Sequence, residues 1–179
     1  MRRVLGVDPG SIVTGFALVC ESGSDRTCER SGQIRLGTGE LTGRLTMLFR
    51  ELSALIAELR PDCVAVESAF HAKSARSSLV LGHARGVAML AAGLENIPVA
   101  EYAPREVKMA VVGRGGATKD QVQFMVKRLL SLTAAPREDE ADAMAIGLCH
   151  LHRARVNLPK IAPRRLAGEA ALWRAKARS

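Results

Sequence analysis

Aromatic residues are scarce in this chain of 179 residues, which contains four Phe, one Tyr and one Trp. Cysteines are also few, and no two of the four have CxxC spacing. Zinc ligands usually include such closely spaced pairs, so we expect no zinc site and four reduced thiols, as in cytosolic proteins. A hydrophobic content of 47% nevertheless excludes a disordered chain, and the length suffices for a sizeable core.

Long apolar runs are also missing from the sequence. The chain begins with MRR, and Asp8 and Pro9 interrupt the apolar stretch that follows, so no signal peptide is predicted. No run approaches the ~18 apolar residues that a membrane helix needs. We therefore expect a soluble, cytoplasmic protein without a membrane partner.

Acidic residues are nearly absent from the C-terminal end. Residues 153–179 carry eight Lys and Arg against one Glu, whereas residues 1–152 carry eighteen against seventeen acids. A basic tail favours a polyanionic partner such as nucleic acid, although a solvated tail that aids solubility has the same composition. The chain length suits one compact domain. We predict that this domain covers residues 1–153 and that a basic tail covers residues 154–179.

Strand patterns and helix patterns follow one another along the sequence. Strands are predicted at 2–8, 12–20, 29–36, 63–67 and 97–103, and helices at 42–60, 74–94, 104–112, 119–132 and 137–153. Three strands followed by alternating helices and strands predict an α/β domain with a mixed five-stranded sheet flanked by helices. Pro9 and Gly10 predict a type II turn and an antiparallel hairpin between the first two strands.

The predicted helix over 74–94 has apolar or small residues on more than one side. One stripe consists of Val80, Ala84, Val87, Ala91 and Leu94, and another of Leu79, Gly82, Gly86 and Leu90. A helix with this pattern is covered by more than one partner. The further partner is either a second copy of the chain or another element of the same monomer, and the pattern does not distinguish the two.

Two of the predicted strands end in an acidic residue. VLGVD ends at Asp8, and CVAVE ends at Glu67. The helix predicted before the second strand permits a crossover connection, which makes the two strands parallel neighbours ~4.8 Å apart. Both carboxylates then emerge at the carboxyl edge of the sheet, where open α/β sheets bind ligands, close enough to share a cation.

A further acidic cluster, Glu138, Asp139, Glu140 and Asp142, opens the last predicted helix. Acids in a first helical turn also complement the helix dipole, but four exceed that role. Asp139 and Asp142 share a helix face, and so do Glu138 and Asp142, so spacing alone leaves the choice open.

Carboxylates that converge at one edge of a sheet need positive charge to remain ionised together. Two divalent cations supply +4, and Mg²⁺ prefers carboxylate oxygens with water. Two such ions form the clamp that cleaves phosphodiester bonds. The acids therefore predict metal-assisted hydrolysis of a nucleic acid.

Four segments resemble, in order and spacing, the four blocks of the RuvC Holliday-junction resolvases: LGVDPGSIVTGFALV, VAVESAFHAKSARSSLVLGHARG, APREVKMAVVGRGGATKDQV and DEADAMAIGLCH. The resemblance covers residues 1 to about 153. It implies a ribonuclease H-like fold and a homodimer that cuts four-way junctions by paired symmetric nicks in DNA recombination and repair. It also implies two Mg²⁺ ions per active site, with Mn²⁺ as a substitute, and the RuvA–RuvB branch-migration complex as a partner.

Matched block by block, the resemblance implies that the catalytic metal ligands are Asp8, Glu67, Asp139 and Asp142. Glu140 stands between the last two, where relatives often have a small residue. It either faces solvent or adds a further charge beside the ligands.

The same resemblance implies DNA-binding residues in the middle of the chain. Phe70 lies in the loop-like stretch AFHAK, where an exposed aromatic can stack on or wedge between bases; a packed Phe is the alternative. Lys108 and Lys119 bracket a glycine-rich stretch and match basic residues near the scissile phosphate. Lys73 and Arg76 are further candidates for contacts to the DNA backbone.

Two other functions fit parts of the sequence. DPGSIVTG superficially resembles the phosphate-binding turn of sugar-kinase and actin-like ATPases, but those enzymes usually repeat the unit in two lobes, and this chain has a single unit. A non-catalytic junction-binding protein would keep the basic residues, but the full set of four acids argues against it.

Overall fold

The computed structural model describes residues 1–68 and 74–156 of the chain. The elements occur in the order β1 (Arg2–Asp8), β2 (Val13–Ser22), β3 (Asp25–Arg35), α1 (Leu41–Leu59), β4 (Cys63–Glu67), α2 (Ala75–Leu94), β5 (Val99–Tyr102), α3 (Pro104–Val112), α4 (Lys119–Leu129) and α5 (Glu138–Val156). The predicted α/β class is confirmed. The division of the chain at residue 153 stays a prediction, since α5 continues to Val156 and residues 157–179 lie outside the described part.

The five strands form one mixed sheet in the order β3-β2-β1-β4-β5. The β1–β2 and β2–β3 pairs are antiparallel, and the β1–β4 and β4–β5 pairs are parallel. Parallel neighbours require a crossover because the chain must return to the edge where the first strand began. Helices α1 and α2 provide these crossovers, so the predicted hairpin and the predicted parallel pair are both present.

The turn between β1 and β2 differs from the prediction. A type II turn needs a positive φ at Gly10, and Gly10 does not adopt one. A Cβ atom at this position would collide with the carbonyl oxygen of Val13. Glycine is therefore needed here for a close approach of backbone segments. The backbone N–H of Gly10 donates to the fully buried Thr14 hydroxyl at 3.3 Å, which closes the turn.

Helices cover both faces of the sheet, and successive side chains of each strand alternate between the faces. Leu5 and Leu18 belong to the core shared with α1 and α2. Val4 and Val19 belong to the opposite core, which is shared with α3, α4 and α5. The same alternation directs Asp8, at the end of β1, to the face covered by α5.

Helix α5 lies very close to the sheet because of glycine. A Cβ atom at Gly6 would collide with the carbonyl oxygen of Ala143 and lie 2.9 Å from the backbone nitrogen of Gly147. A Cβ atom at Gly15 would collide with the carbonyl oxygen of Asp139. The helix backbone therefore contacts β1 and β2 directly, and this contact determines how far the acids in its first turns lie from the sheet.

Helix α2 packs against α1 and the sheet through small side chains, with Ala84, Ala88, Ala91 and Ala92 buried. Within residues 1–68 and 74–156 it is also the one helix long and apolar enough, by length and composition alone, to cross a membrane. The sequence prediction concerned uninterrupted apolar runs, and α2 is interrupted by Arg76, His83 and Arg85. Helices that pack in protein cores meet the same two criteria, and the buried alanines show that one face of α2 is packed in this way.

Buried polar contacts join β4, β5 and α5. The Nδ1 atom of His150 lies 2.9 Å from the Tyr102 hydroxyl and 3.9 Å from the Cys63 sulfur. Burial lowers the pKa of His150 and raises the pKa of the Cys63 thiol to about 11. Near neutral pH these groups are therefore uncharged and form an internal polar contact, which sequence spacing did not indicate.

Substituting Gly6→Ala should destabilise the protein by about 3 kcal/mol or more, the upper end of the usual overpacking cost. The reason is that the added Cβ meets backbone atoms of α5, which cannot rotate away. Urea unfolding measures the effect. Gly43→Ala in α1 is the control, since no atom lies within 4 Å of that added Cβ, and it should be neutral or stabilising by up to about 1 kcal/mol. Equal midpoints for the two variants would contradict the close packing of α5.

Candidate active site

The carboxyl ends of β1 and β4 bring two acids to one edge of the sheet. The parallel register of these strands runs up to the position before Asp8 and Glu67, so the two residues are neighbours. On the other side of β1, Asp8 pairs with Gly15 of β2, and Gly15 pairs with Gln33 of β3. A row of residues thus crosses the sheet at this edge, with glycine beside Asp8.

Helix α5 contributes two acids above the same row. The backbone of Asp139 lies over Gly15, and its carboxylate Oδ2 accepts a hydrogen bond from Gln33 Nε2 at 2.7 Å. Asp142, three residues further along the helix, is 30% exposed and accepts from Lys119 Nζ at 3.5 Å. The strand ends and the first turns of α5 therefore surround one partly buried acidic site.

The carboxylates of this site interact electrostatically. Burial is the largest cause that raises the pKa of Asp8 to about 7, and the charges of Glu67, Asp142 and Asp139 raise it further, in that order. Burial, followed by the charge of Asp142, also raises the pKa of Glu67. Burial raises the pKa of Asp142. The shifts of these three groups mean that the fully ionised cluster lacks compensating positive charge.

Lys119 supplies part of that charge from the first turn of α4. Thr118 caps this helix by accepting from the backbone N–H of Gln121 at 3.3 Å, which fixes the position of the lysine. The ammonium group forms an ion pair with Glu138 in addition to its contact with Asp142. The bond to Glu138 is the main cause that raises the pKa of Lys119. Glu138 is thereby drawn to the exposed side of the cluster.

The residues of the site fit a divalent cation in their chemistry. Carboxylate oxygens are the ligands that Mg²⁺ prefers, and the raised pKa values show that positive charge would be stabilised here. Within residues 1–68 and 74–156, however, no three His, Cys, Asp or Glu side chains are arranged to hold one ion. The carboxylate of Asp142 is hydrogen-bonded to Lys119, so metal binding by Asp142 requires this contact to be exchanged.

The other residues predicted to act on DNA have different surroundings. Lys108 on α3 is half-buried and lowers the pKa of Glu67, so it lies within electrostatic reach of the acids. Arg76 is exposed in the first turn of α2. Phe70 and Lys73 lie outside the described residues.

Two polar residues of β3 at this edge were not predicted from the sequence. Gln33 holds Asp139, and Ser31 donates to Glu140 Oε2 at 2.8 Å. Glu140 is half-buried against β3 and does not face solvent freely. The alternating polar residues of β3 were a signal that one face of this strand is not part of the apolar core, but they did not reveal the partners across the sheet.

Comparison with known proteins establishes the family. The family model for crossover junction endodeoxyribonuclease RuvC matches residues 4–150. The RuvC of Alkalilimnicola ehrlichii is 49% identical over 154 residues, which are 86% of this chain and 93% of that protein. The RuvC of Shewanella sp. strain W3-18-1 is 46% identical over 85% of this chain and 88% of that protein. The chain belongs to the RuvC family.

RuvC structures share the fold described above. The structure of Thermus thermophilus RuvC in complex with Holliday junction substrate matches with a TM-score of 0.82 and 30% identity, over 87% of this chain and 96% of that one. The yeast mitochondrial Holliday junction resolvase Ydc2 matches with a TM-score of 0.63 and 14% identity over 84% of this chain and 78% of that one, a likeness of fold alone. The predicted ribonuclease H-like fold is therefore confirmed. RuvC proteins are metal-dependent nucleases, and membership disfavours both the ATPase and the non-catalytic alternative.

In chelator, Asp8→Asn should stabilise the RuvC chain near pH 8 by about 4 kcal/mol, the energy that corresponds to the pKa difference. The pKa of Asp8 is about 7 in the folded protein, well above the 3.8 of an unperturbed aspartate. Between these values the native state binds more protons than the unfolded state, so wild-type stability falls as pH rises from about 4 to 7 and stays low above. The variant lacks this loss.

Urea unfolding in chelator at about pH 4 and about pH 8 measures the difference. Asp25→Asn, at the exposed start of β3, is the control and should match wild type at both values. A variant that is no more stable than wild type at the higher pH would contradict the assigned electrostatics of Asp8.

Proposed function

We infer that this protein is a Holliday junction resolvase that hydrolyses DNA phosphodiester bonds by paired symmetric nicks in recombination and repair. The observation that carries this inference is the partly buried acidic site at the carboxyl ends of β1 and β4, in a chain matched by the RuvC family model over residues 4–150. The relative from Thermus thermophilus, whose structure contains Holliday junction substrate, supports junction DNA as the substrate.

We propose Asp8, Glu67, Asp139 and Asp142 as the catalytic residues and as the ligands of two Mg²⁺ ions, for which Mn²⁺ can substitute. Bound divalent cations supply Lewis-acid activation of water and stabilise charge on the departing 3′-oxygen. The chain itself contributes rigid positions: two ligands end central strands, and two lie on a helix in backbone contact with the sheet. Lys119 forms an ion pair with Asp142 and would lie beside a phosphate bound at this site.

The proposed DNA surface surrounds this site. Lys108 and Lys119 provide positive charge beside the acids, and exposed Arg76 extends it along α2. Phosphate contacts of this kind position the duplex without reading sequence. We also propose that Phe70 contacts bases and that Lys73 contacts the DNA backbone; both residues lie outside the described part of the chain. The basic segment 154–179 is proposed as a tail that follows the nuclease domain 1–153.

We propose that the protein is a homodimer that pairs through α2. The face opposite the buried alanines exposes large apolar residues: Leu79 is 63%, Leu90 54% and Leu94 61% exposed. Gly82 and Gly86 on that face have open space above them, so a second helix can approach closely. Exposed apolar patches of this kind mark interaction surfaces, and paired symmetric nicks require two active sites related by symmetry.

The RuvA–RuvB branch-migration complex is the proposed protein partner, and the cytoplasm is the proposed location. Both follow from family membership together with the net charge of +8, which suits a protein that works on DNA.

Purified protein mixed with a synthetic four-way junction and Mg²⁺ should cut two strands at symmetric positions and leave 5′-phosphates. Asp8→Asn should slow cutting by at least ~1000-fold, because a metal ligand contributes several kcal/mol to the transition state. Its affinity for the junction in chelator should stay within about 3-fold, because phosphate contacts by lysine and arginine dominate binding.

Gel analysis of end-labelled junctions measures both quantities, and exposed Asp25→Asn is the control that should cut like wild type. Binding without nicking by the wild-type protein in Mg²⁺ and in Mn²⁺ would overturn the proposed function. Undiminished cutting by Asp8→Asn would overturn the ligand assignment.

Substituting Leu90→Asp should convert the dimer into a monomer, because an exposed apolar residue of α2 becomes a charge that the interface would have to bury unpaired. Sedimentation velocity measures the change, and junctions should then receive unpaired single nicks. Met47→Asp, at an exposed position of α1 (46%), is the matched control and should remain dimeric. A dimer that survives Leu90→Asp would place the interface elsewhere.

A further inference from the structure

We propose that Gln33 is a positioning residue that fixes the metal-binding orientation of Asp139, an inference that rests on the proposed function of Asp139 as a ligand. Gln33 lies on β3, the edge strand farthest from Glu67, and its Nε2 donates to Asp139 Oδ2 at 2.7 Å. The bond engages one carboxylate oxygen and leaves the other, Oδ1, to serve as a ligand. A carboxylate held in this way does not have to be ordered by the metal.

The orientation of the Gln33 amide is itself determined by its neighbours. Its Oε1 accepts from a guanidinium nitrogen of Arg35 at 3.1 Å and from one of Arg137 at 3.4 Å. Guanidinium groups donate and never accept, so the amide oxygen has to face the arginines. The NH₂ group is therefore turned to Asp139, and the contact is a donated hydrogen bond of defined direction.

The sheet register gives this bond its place in the site. Asp8, Gly15 and Gln33 form one row across three strands, and Asp139 lies over the glycine in the middle. Asp139 thus has a proposed fellow ligand on one side and the Gln33 amide on the other. Gly15 places no side chain under Asp139, and the Gln33 amide contacts the carboxylate from the β3 side.

Residues that orient metal ligands by hydrogen bonds typically affect metal affinity or activity by about 10- to 100-fold when they are removed. The same strand offers a matched contact without that role. Ser31, two residues before Gln33 and on the same face, donates to Glu140, the residue after Asp139. Glu140 is outside the proposed ligand set, so loss of the Ser31 contact should leave metal binding unchanged.

The test uses the full chain with Gln33→Met, which keeps the length of the side chain and removes its donor, and Gln33→Ala as a second variant. Calorimetric titration with Mn²⁺ alone, without DNA, should show an affinity about 10- to 100-fold weaker than wild type. The Mg²⁺ concentration for half-maximal junction cutting should rise by a similar factor. The rate at saturating Mg²⁺ should stay within about 3-fold, as should junction affinity in chelator, because the residue orients a ligand and takes no part in the reaction.

Ser31→Ala is the control and should bind Mn²⁺ like wild type. In an Asp139→Asn background, Gln33→Met should add no further loss, because residues that act through one another are not additive. Unchanged Mn²⁺ affinity of both Gln33 variants, or an equal loss in Ser31→Ala, would overturn the positioning role whatever the cutting result. Wild-type protein that binds Mn²⁺ but does not cut would overturn the proposed function and leave the calorimetric comparison decisive for Gln33. Wild-type protein that binds no Mn²⁺ would overturn both.

Discussion

The contact between the backbone of α5 and the backbones of β1 and β2 is the constraint on which the rest of the site depends. Helix and sheet usually keep side chains between them, but here Gly6, Gly15 and Gly147 remove them. The helix therefore lies so close to the sheet that its backbone carbonyl groups contact the strands. In this position the first turns of α5 lie at the carboxyl edge of the sheet, where β1 and β4 end in acids. A helix held one side chain farther from the sheet would carry the same acids farther from Asp8.

Close packing places negative charges together at a cost in stability. The pKa of Asp8, raised to about 7 mainly by burial, shows that ionising it in the folded protein is unfavourable. Lys119 offsets part of the charge, and the hydrogen bond from Gln33 satisfies one oxygen of Asp139. Functional sites commonly contain groups whose ionisation is perturbed in this way. Negative charge that the protein itself does not neutralise is also what attracts a cation.

The parts of the site that depend on local pattern could be predicted from the sequence. Asp8 and Glu67 each end a short apolar strand, and the amphipathic helix before β4 made a parallel pair the natural topology. The predicted turn type at Gly10 was wrong because turn rules consider only the φ and ψ angles of the turn residues. Here glycine is required because a Cβ atom would collide with the carbonyl oxygen of Val13.

Long-range partners could not be predicted in this way. Spacing could not show that Asp139 lies over Gly15 whereas Glu138 forms an ion pair with the lysine on α4. The partner of Gln33 could not be predicted, since about a hundred residues separate it from Asp139 and only the sheet order brings the two together. The resemblance to RuvC, carried by four blocks of sequence, supplied the assignment that local physics left open.

The acids of this site are borne by the most deeply packed elements of the molecule, two central strands and the core helix α5, and not by loops. Surface loops can open while the rest of a protein stays folded, because few contacts hold them. Central strands and a core helix have no such freedom, and they separate only when the whole sheet and helix come apart. The four carboxylates proposed as ligands are therefore expected to keep their arrangement up to the temperature at which the fold itself unfolds.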